Sequence, residues 1–371
     1  MKDTLIVDAD SHVEEPALAW EYLDKEYESR KPFALTTEDR PVLGHMNAFW
    51  FVDSQIFPKP VGQGSTVFGT PLAQQLARNK VFSLESQGLT DPDARLKELD
   101  QFGIDVQVNF PTIFLEQLTD DAHFEAALMR SYNTWMAGVC KQRPDRLKFA
   151  AVMPLRSVPE AVAELRRAKD IGAVGAAIYG TIDQRMLHHR DLDPFWAEAE
   201  RLEMPICVHT GWSHPGLKWS IDSVFGAHTI SFTLPVMMGF FSFLGGGILD
   251  RFPRLRVAFL EAGADWVPYL VQRLDHYFAS ERLAGWWTPE RSASEYLRDC
   301  QIYFTCEAEE RLLPQVLEFV GEDRIMMSAD MPHAEARENA VSEIEKRTDL
   351  TREQKARILG KNAITFYSLS S

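Results

Sequence analysis

The sequence predicts an α/β fold, a TIM-type (β/α)8 barrel with a long excursion after its first strand. Three observations predict it. Eight short runs recur along the chain, most of them apolar on both faces, as strands of a parallel sheet covered on both sides must be. Segments of helical periodicity fill the gaps between them. No Gly-x-Gly-x-x-Gly follows the first run, which favours the barrel over a doubly wound open sheet.

The runs are LIVDAD (5–10), IDVQVNF (104–110), KFAAVMP (148–154), AVGAAIY (173–179), PICVHT (205–210), RVAFLE (256–261), QIYFT (301–305) and RIMMSA (324–329). HFEAALMRSYNTWMAGV repeats Phe124, Leu128, Tyr132, Trp135 and Val139 at spacings of three or four, one face of a helix. SVPEAVAELRRAKDIG opens on a capping box of Ser157 and Glu160, carries Val162, Leu165 and Ala168 on one face, and stops at Gly172. DPFWAEAERLEM offers Asp193 as N-cap and Pro194 in the first turn. TISFTLPVMMGFFSFLGGGILD (229–250) has the length of a membrane span. Pro235 and the triplet Gly245-Gly246-Gly247 interrupt it, and no basic residue stands close on its N-terminal side, so a buried helix is expected. The rhythm breaks between residues 17 and 90, where Pro32, Pro41, Pro58, Pro60 and VGQGSTVFG mark an insertion. Its Phe49, Trp50, Phe51 and Phe57 either cap the barrel mouth or serve packing or a subunit contact. One domain, 1–371, is expected, with 17–90 as cap or insertion.

Composition fits a soluble globular chain, with 45% hydrophobic and 25% charged residues. A net charge of −15 argues against a nucleic-acid partner, because a phosphate backbone would be repelled. MKDTLIVDAD lacks the apolar core of a signal peptide, and no membrane partner is expected. Cys140, Cys207, Cys300 and Cys306 show no Cys-x-x-Cys spacing, so reduced thiols in a cytoplasmic protein are expected.

Barrel active sites form at the C-terminal ends of the strands. The opening LIVDADSHVEEP sets Asp8, Asp10 and His12 at alternate positions, on one face of an extended strand. Asp10 and His12 end strand one, His209 ends strand five, Glu261 strand six and Asp330 strand eight, while Glu307 follows strand seven. Asp10 and Asp330 together neutralise a divalent cation, and His12 and His209 complete an N/O ligand set of four. A carboxylate such as Glu261, closing an apolar strand, has to be solvated, paired or bound to metal. His214 and His228 follow strand five, and His228, ahead of the buried helix, is either an acid/base or a capping or packing residue. His333, three residues past Asp330, either orients that carboxylate or is a solvated loop residue. Lys218 in GLKWS is a basic side chain for a substrate carboxylate.

Taken in order, DADSHVEEP, GIDVQVNFPT, PICVHTG, LDRFPRLRVAFLEAGADWVPYLVQRLD and SADMPHAE resemble the amidohydrolase-related family. That family includes aminocarboxymuconate semialdehyde decarboxylase and the resorcylate-type decarboxylases. The resemblance runs from strand one to strand eight. It implies a distorted (β/α)8 barrel with one divalent metal, zinc or manganese, assembled as dimers or larger oligomers. Where the family places a His-x-His or Glu-x-His metal pair, this chain has Asp10-Ser11-His12; His209 matches the strand-five ligand and Asp330 the strand-eight Asp. Family decarboxylases place a catalytic His on strand six, and here Glu261-Ala262-Gly263 stands instead. No lysine ends strand four (AAIYG), so the carbamylated-lysine bridge of dinuclear hydrolases is not expected.

Four functional expectations follow. The first is a metal-dependent hydrolase acting on an amide or C–C bond of a small organic substrate, with Asp330, Glu261 or His228 moving protons. Non-oxidative decarboxylation of a small carboxylic acid stands slightly behind it, weakened by the missing strand-six His. An oxidative enzyme holding two irons would draw on Asp10, His12, His209, Glu261, Asp330 and His228. Last is a non-catalytic subunit serving a related second chain.

Overall fold

Eight parallel strands follow one another in chain order around the sheet of the computed structural model. They are β1 (Val7–Val13), β2 (Val106–Pro111), β3 (Leu147–Val152), β4 (Gly175–Tyr179), β5 (Ile206–His209), β6 (Arg256–Phe259), β7 (Gln301–Cys306) and β8 (Ile325–Met327). Each falls on one of the eight runs. The structure describes residues 5–36, 48–71, 82–280, 283, 289–333 and 336–370. Pro41, the insertion at 37–47 and 72–81, and the opening MKDT therefore lie outside the described residues.

Two apolar layers hold the strands. Inside, Val7, Ala9, Val108, Phe110, Ala150, Ala177, Cys207, Ala258, Tyr303 and Met326 pack together, and the C-terminal helix Asn362–Tyr367 adds Phe366 and Tyr367 to the same cluster. Outside, the alternate residues meet the helices. The helix Ala122–Cys140 buries the predicted Phe124, Leu128, Tyr132, Trp135 and Val139. The helical run Val224–Arg251 is apolar enough by length and composition to cross a membrane, yet 67% of its most apolar stretch is buried. Its Phe240 and Phe243 pack on Phe259, Phe304 and Trp196, as a barrel helix does. All four cysteines are free and buried.

Helix starts differ from the sequence patterns. Ser157 is the N-cap of Val158–Asp170 but its side chain caps nothing, and Glu160 faces His123 at 3.0 Å instead of turning back. Asp193 is the first helical residue rather than the cap, and its carboxylate takes Arg251 at 3.0 Å. In the insertion, strands Phe33–Thr36, Ala48–Val52 and Gln55–Phe57 form a small antiparallel sheet. Trp50 and Phe57 join the main core, and Trp50 meets Trp20 edge-on at 5.7 Å.

β1 and β8 close the barrel through hydrogen bonds beyond the regular ladder. His12 N donates to Met331 O (2.5 Å) and Asp330 N to Asp10 O (3.2 Å). Ser328 Oγ also donates to Asp10 O (2.9 Å). Between Asp8 and Ser11 the pairing of β1 with β2 shifts by one residue. That bulge breaks the alternation the sequence implies, and Asp8 turns away from Asp10 and His12. Its carboxylate accepts Ser11 Oγ, Gln107 Nε2 (3.0 Å) and Ala329 N (3.0 Å), tying β1, β2 and the end of β8 together. Burial lifts its pKa to about 6 against the pull of those donors.

Asp8→Ala strands these three buried donors and the longer one from Asp10 N (3.4 Å), so it should destabilise the fold by about 3 kcal/mol. A lower urea midpoint with an unchanged slope is the expected result, and an unchanged midpoint would remove Asp8 from the seam.

Candidate active site

At the C-terminal mouth, side chains from four strand ends converge. Donor atoms of Asp10, His12 and His209 lie within 4.8 Å of one another, and those of His12, Glu261, Asp330 and His333 form a second such group sharing His12. His209 Nε2 is 3.2 Å from Asp10 Oδ1 and 3.4 Å from Glu261 Oε2. His12 Nε2 is 3.7 Å from Asp330 Oδ1 and 3.9 Å from Asp10 Oδ1. His333 Nδ1 lies 2.8 Å from Asp330 Oδ1 and 3.8 Å from Glu261 Oε1. Asp10, His12, His209, Asp330 and His333 are all buried.

Backbone acceptors aim the imidazoles. His12 Nδ1 sits 3.0 Å from Pro111 O and His209 Nδ1 3.0 Å from Thr210 O, so Nδ1 donates in each ring and both Nε2 atoms face inward. Among the described residues, Asp10 Oδ2 and His12 Nε2 are buried with no hydrogen-bond partner. Such orphans are costly unless something else satisfies them. Carboxylates and imidazoles around a shared point suit a divalent cation of N/O preference, so this donor set fits a metal.

The charges are consistent with that fit. Burial, aided by neighbouring His333 and His209, holds His12 well below the usual imidazole range, so its ring is neutral, as a metal ligand must be. Burial also depresses His209, but the Asp10 and Glu261 carboxylates outweigh it and bring the ring to about 9. Glu261 is raised by burial and pulled further down by His209, His333 and His12, ending below the ordinary carboxylate range. Glu261 (φ 56°) and Asp330 (φ 52°) both occupy the left-handed region, which costs a non-glycine residue of order 1–2 kcal/mol. Glu261 is pinned there: its N–H donates to Thr305 Oγ1 (2.9 Å), and Thr210 Oγ1 donates to its carboxylate.

The structure brings together Asp10, His12, His209, Glu261 and Asp330, all named from the sequence, with His333 as the orienting partner of Asp330. It leaves others out. Asp8 serves the seam. Glu307 is paired with Arg337 at 2.5 Å. His214 caps the short helix Pro215–Lys218, and Lys218 is spent on the buried Glu116. His228 stands edge-on to Phe68 at 4.9 Å, with the rings of Phe68 and His333 between it and Asp330.

Sequence reasoning missed Phe68, which stacks on His333 at 4.5 Å while His12 stacks on the other face at 4.1 Å. The insertion thus reaches the mouth through VGQGSTVFG, not through Phe49–Phe57. Also missed was Glu15, fully buried, whose oxygens accept Thr112 N (2.8 Å) and Ile113 N (2.9 Å). That grip sets Thr112 Oγ1 2.9 Å from His333 Nε2. A second acid beside Glu14 in VEEP was the one available signal.

The amidohydrolase family profile matches residues 12–369. Over 269 residues the chain is 29% identical to the gamma-resorcylate decarboxylase of Rhizobium sp. (strain MTP-10005), covering 67% of this chain and 79% of that protein. An amidohydrolase from Mycobacterium avium subsp. paratuberculosis K-10 superposes with a TM-score of 0.77 at 20% identity, over 99% of this chain and 98% of that one. A dihydroxybenzoic acid decarboxylase from Polaromonas sp. JS666, solved with manganese and the inhibitor 2-nitroresorcinol, superposes with a TM-score of 0.65 at 22% identity, over 75% and 86%. These two structures share the fold.

Burial lifts Glu15 from 4.5 to about 8 despite its two backbone donors. The folded state then binds more protons than the unfolded one between those values, so this group's contribution to stability falls as pH rises through the window. Glu15→Gln should remove that slope, up to ~1.4 kcal/mol per pH unit. Urea unfolding of both proteins at pH 5 and pH 8 checks it, and equal slopes would refute it.

Proposed function

The chain belongs to the amidohydrolase family and is an enzyme of it, and from that premise we propose that it is a metal-dependent decarboxylase of a small aromatic carboxylic acid. The buried donor set of Asp10, His12, His209 and Asp330, with two of its atoms unpartnered, carries the reading. The reaction of the gamma-resorcylate relative supports decarboxylation over the hydrolysis that the sequence placed slightly ahead.

Asp10, His12, His209 and Asp330 would hold one divalent cation, manganese or zinc. A cation in this position supplies Lewis-acid charge to the oxygens of a bound acid. The reaction breaks the bond between ring and carboxyl carbon; the electron pair stays on the ring carbon, which takes a proton as CO2 leaves. His333, 2.8 Å from Asp330, keeps that carboxylate supplied with a proton to give. The electric field of Asp330 and Glu261 lifts the His333 pKa well above the usual range against the opposing effect of burial. Phe68, Trp212 and Phe232 form an apolar wall beside His333, suited to an aromatic ring. His228, edge-on to Phe68, is the second proton-moving candidate.

One observation favours a second reading. Glu261 and His333 enlarge the donor set beyond the needs of one metal, so a pair of irons and an oxidative reaction are its alternative.

Elemental analysis separates the two. The decarboxylase predicts about one manganese or zinc per chain, lost together with CO2 release in His12→Ala. Asp330→Asn should lower CO2 release from 2,6-dihydroxybenzoate by ~10²-fold or more. About two irons per chain would move the reading to oxidation, and absence of metal from wild type and His12→Ala alike would overturn both.

A further inference from the structure

Tyr179 ends β4 and is the register partner of His209 on β5. Ala177, two residues earlier, packs inside the barrel, so Tyr179 turns into the mouth on the same face. It stands where no lysine closes strand four. Its hydroxyl oxygen is buried and has no hydrogen-bond partner among the described residues, although the ring itself is only half-buried. Tyr367, inside the same barrel, behaves otherwise: its hydroxyl donates to Ala9 O at 2.8 Å. Burial pushes the Tyr179 phenol well up, and the Glu15, Glu125 and Glu261 carboxylates around it add to the shift. Tyr179 is thus beside His209 in the sheet register and shares the lining of one cavity with Glu125.

Glu125 opens onto a cavity of about 60 Å³ that Tyr179 also lines, with Phe114, Met129, Met153 and Leu155 as apolar walls. A single water needs ~10–15 Å³ on this scale, so the space takes a substituent rather than a second ring. Among the described residues, no free positive charge faces it. Arg156 is spent on Thr119 O (2.7 Å), Asp120 O (2.7 Å) and Glu125 (3.4 Å), and Lys218 is spent on Glu116. An anionic group gains nothing there, whereas a neutral oxygen accepts the one idle donor.

We propose that this cavity is a distal subsite of the substrate chamber, in which the Tyr179 hydroxyl donates to a neutral hydroxyl or carbonyl oxygen on the substrate ring. The identification of the substrate as an aromatic acid rests on the decarboxylase reading; the subsite itself is tested by binding. Tyr179 is a positioning residue.

The test titrates manganese-loaded wild type and Tyr179→Phe calorimetrically with benzoate, 3-hydroxybenzoate and 4-hydroxybenzoate. Wild type should prefer one hydroxybenzoate over benzoate about five- to tenfold, the worth of one net hydrogen bond. Tyr179→Phe should lose that preference while keeping its affinity for benzoate and its metal content. Its Tm should not fall, because the hydroxyl has no hydrogen-bond partner to lose among the described residues. Equal preference in both proteins, absence of preference in wild type, no binding of any of the three acids, or a lowered Tm with lost metal would each overturn the subsite. CO2 release is read separately: preference without CO2 sinks the decarboxylase reading and leaves the subsite standing.

Discussion

Asp8 lies where the first and last strands of the barrel meet, and its carboxylate joins what a strand ladder joins elsewhere in the sheet. β8 is only three residues long. Its closure on β1 depends on Asp8 holding Ala329 N and Ser11 Oγ, on His12 N reaching Met331 O, and on Asp330 N reaching Asp10 O. The same few residues carry Asp10, His12 and Asp330. The distances among three of the four proposed ligands are therefore set by the closure of the barrel, and nothing can loosen one without moving the other. Arg95 backs this arrangement from behind, donating to His12 O (3.1 Å) and to Gln107 (2.6 Å), itself an Asp8 donor.

Once the seam is closed, it forces acids and imidazoles into one buried volume. Asp10, Glu261 and Asp330 crowd against His12, His209 and His333 at 2.8–3.9 Å. In a low-dielectric interior such groups cannot all keep their solution charges. His209 and His333 rise as their neighbouring carboxylates overcome burial, while His12, which faces other imidazoles, falls. A cation entering this set would take over the neutralisation those protons provide and release them. The left-handed backbone at Glu261 and Asp330 belongs to the same account, since strain of that kind persists only where surrounding bonds hold it.

The barrel was legible because each strand is a short apolar run, and the buried polar cluster at its mouth because each of its polar residues ends such a run. That logic needs only order along the chain. It failed wherever the answer depended on a partner distant in sequence. Glu160 has the spacing of a capping box, but His123 on the preceding helix claims it. Lys218 reads as a free base until Glu116 on another loop is folded against it. Asp8 alternates correctly with Asp10 and His12, yet the bulge is invisible because it is set by register against β2. Phe68 is one aromatic among many in the insertion, and only the folded chain stacks it on His333.

Glu261 is the position at which the resemblance and the chain part company, and the structure gives the replacement a physical context. A carboxylate here sits 3.4 Å from His209 and is further fixed by Thr210 and Thr305, so it adds negative charge beside a ligand that an imidazole would have left neutral or positive. That excess is balanced first by His209 itself and then by His333, stacked between His12 and Phe68 and held at its far nitrogen by Thr112. His333, from the segment after β8, is raised first by Asp330 and then by Glu261, while His209 is raised by Asp10 and Glu261. The proposed proton donor, the Asp330–His333 pair, is anchored in the seam, and Glu261 adds to the charge around it. The residue that departs from the family pattern and the residue that closes the barrel then belong to one electrostatic unit.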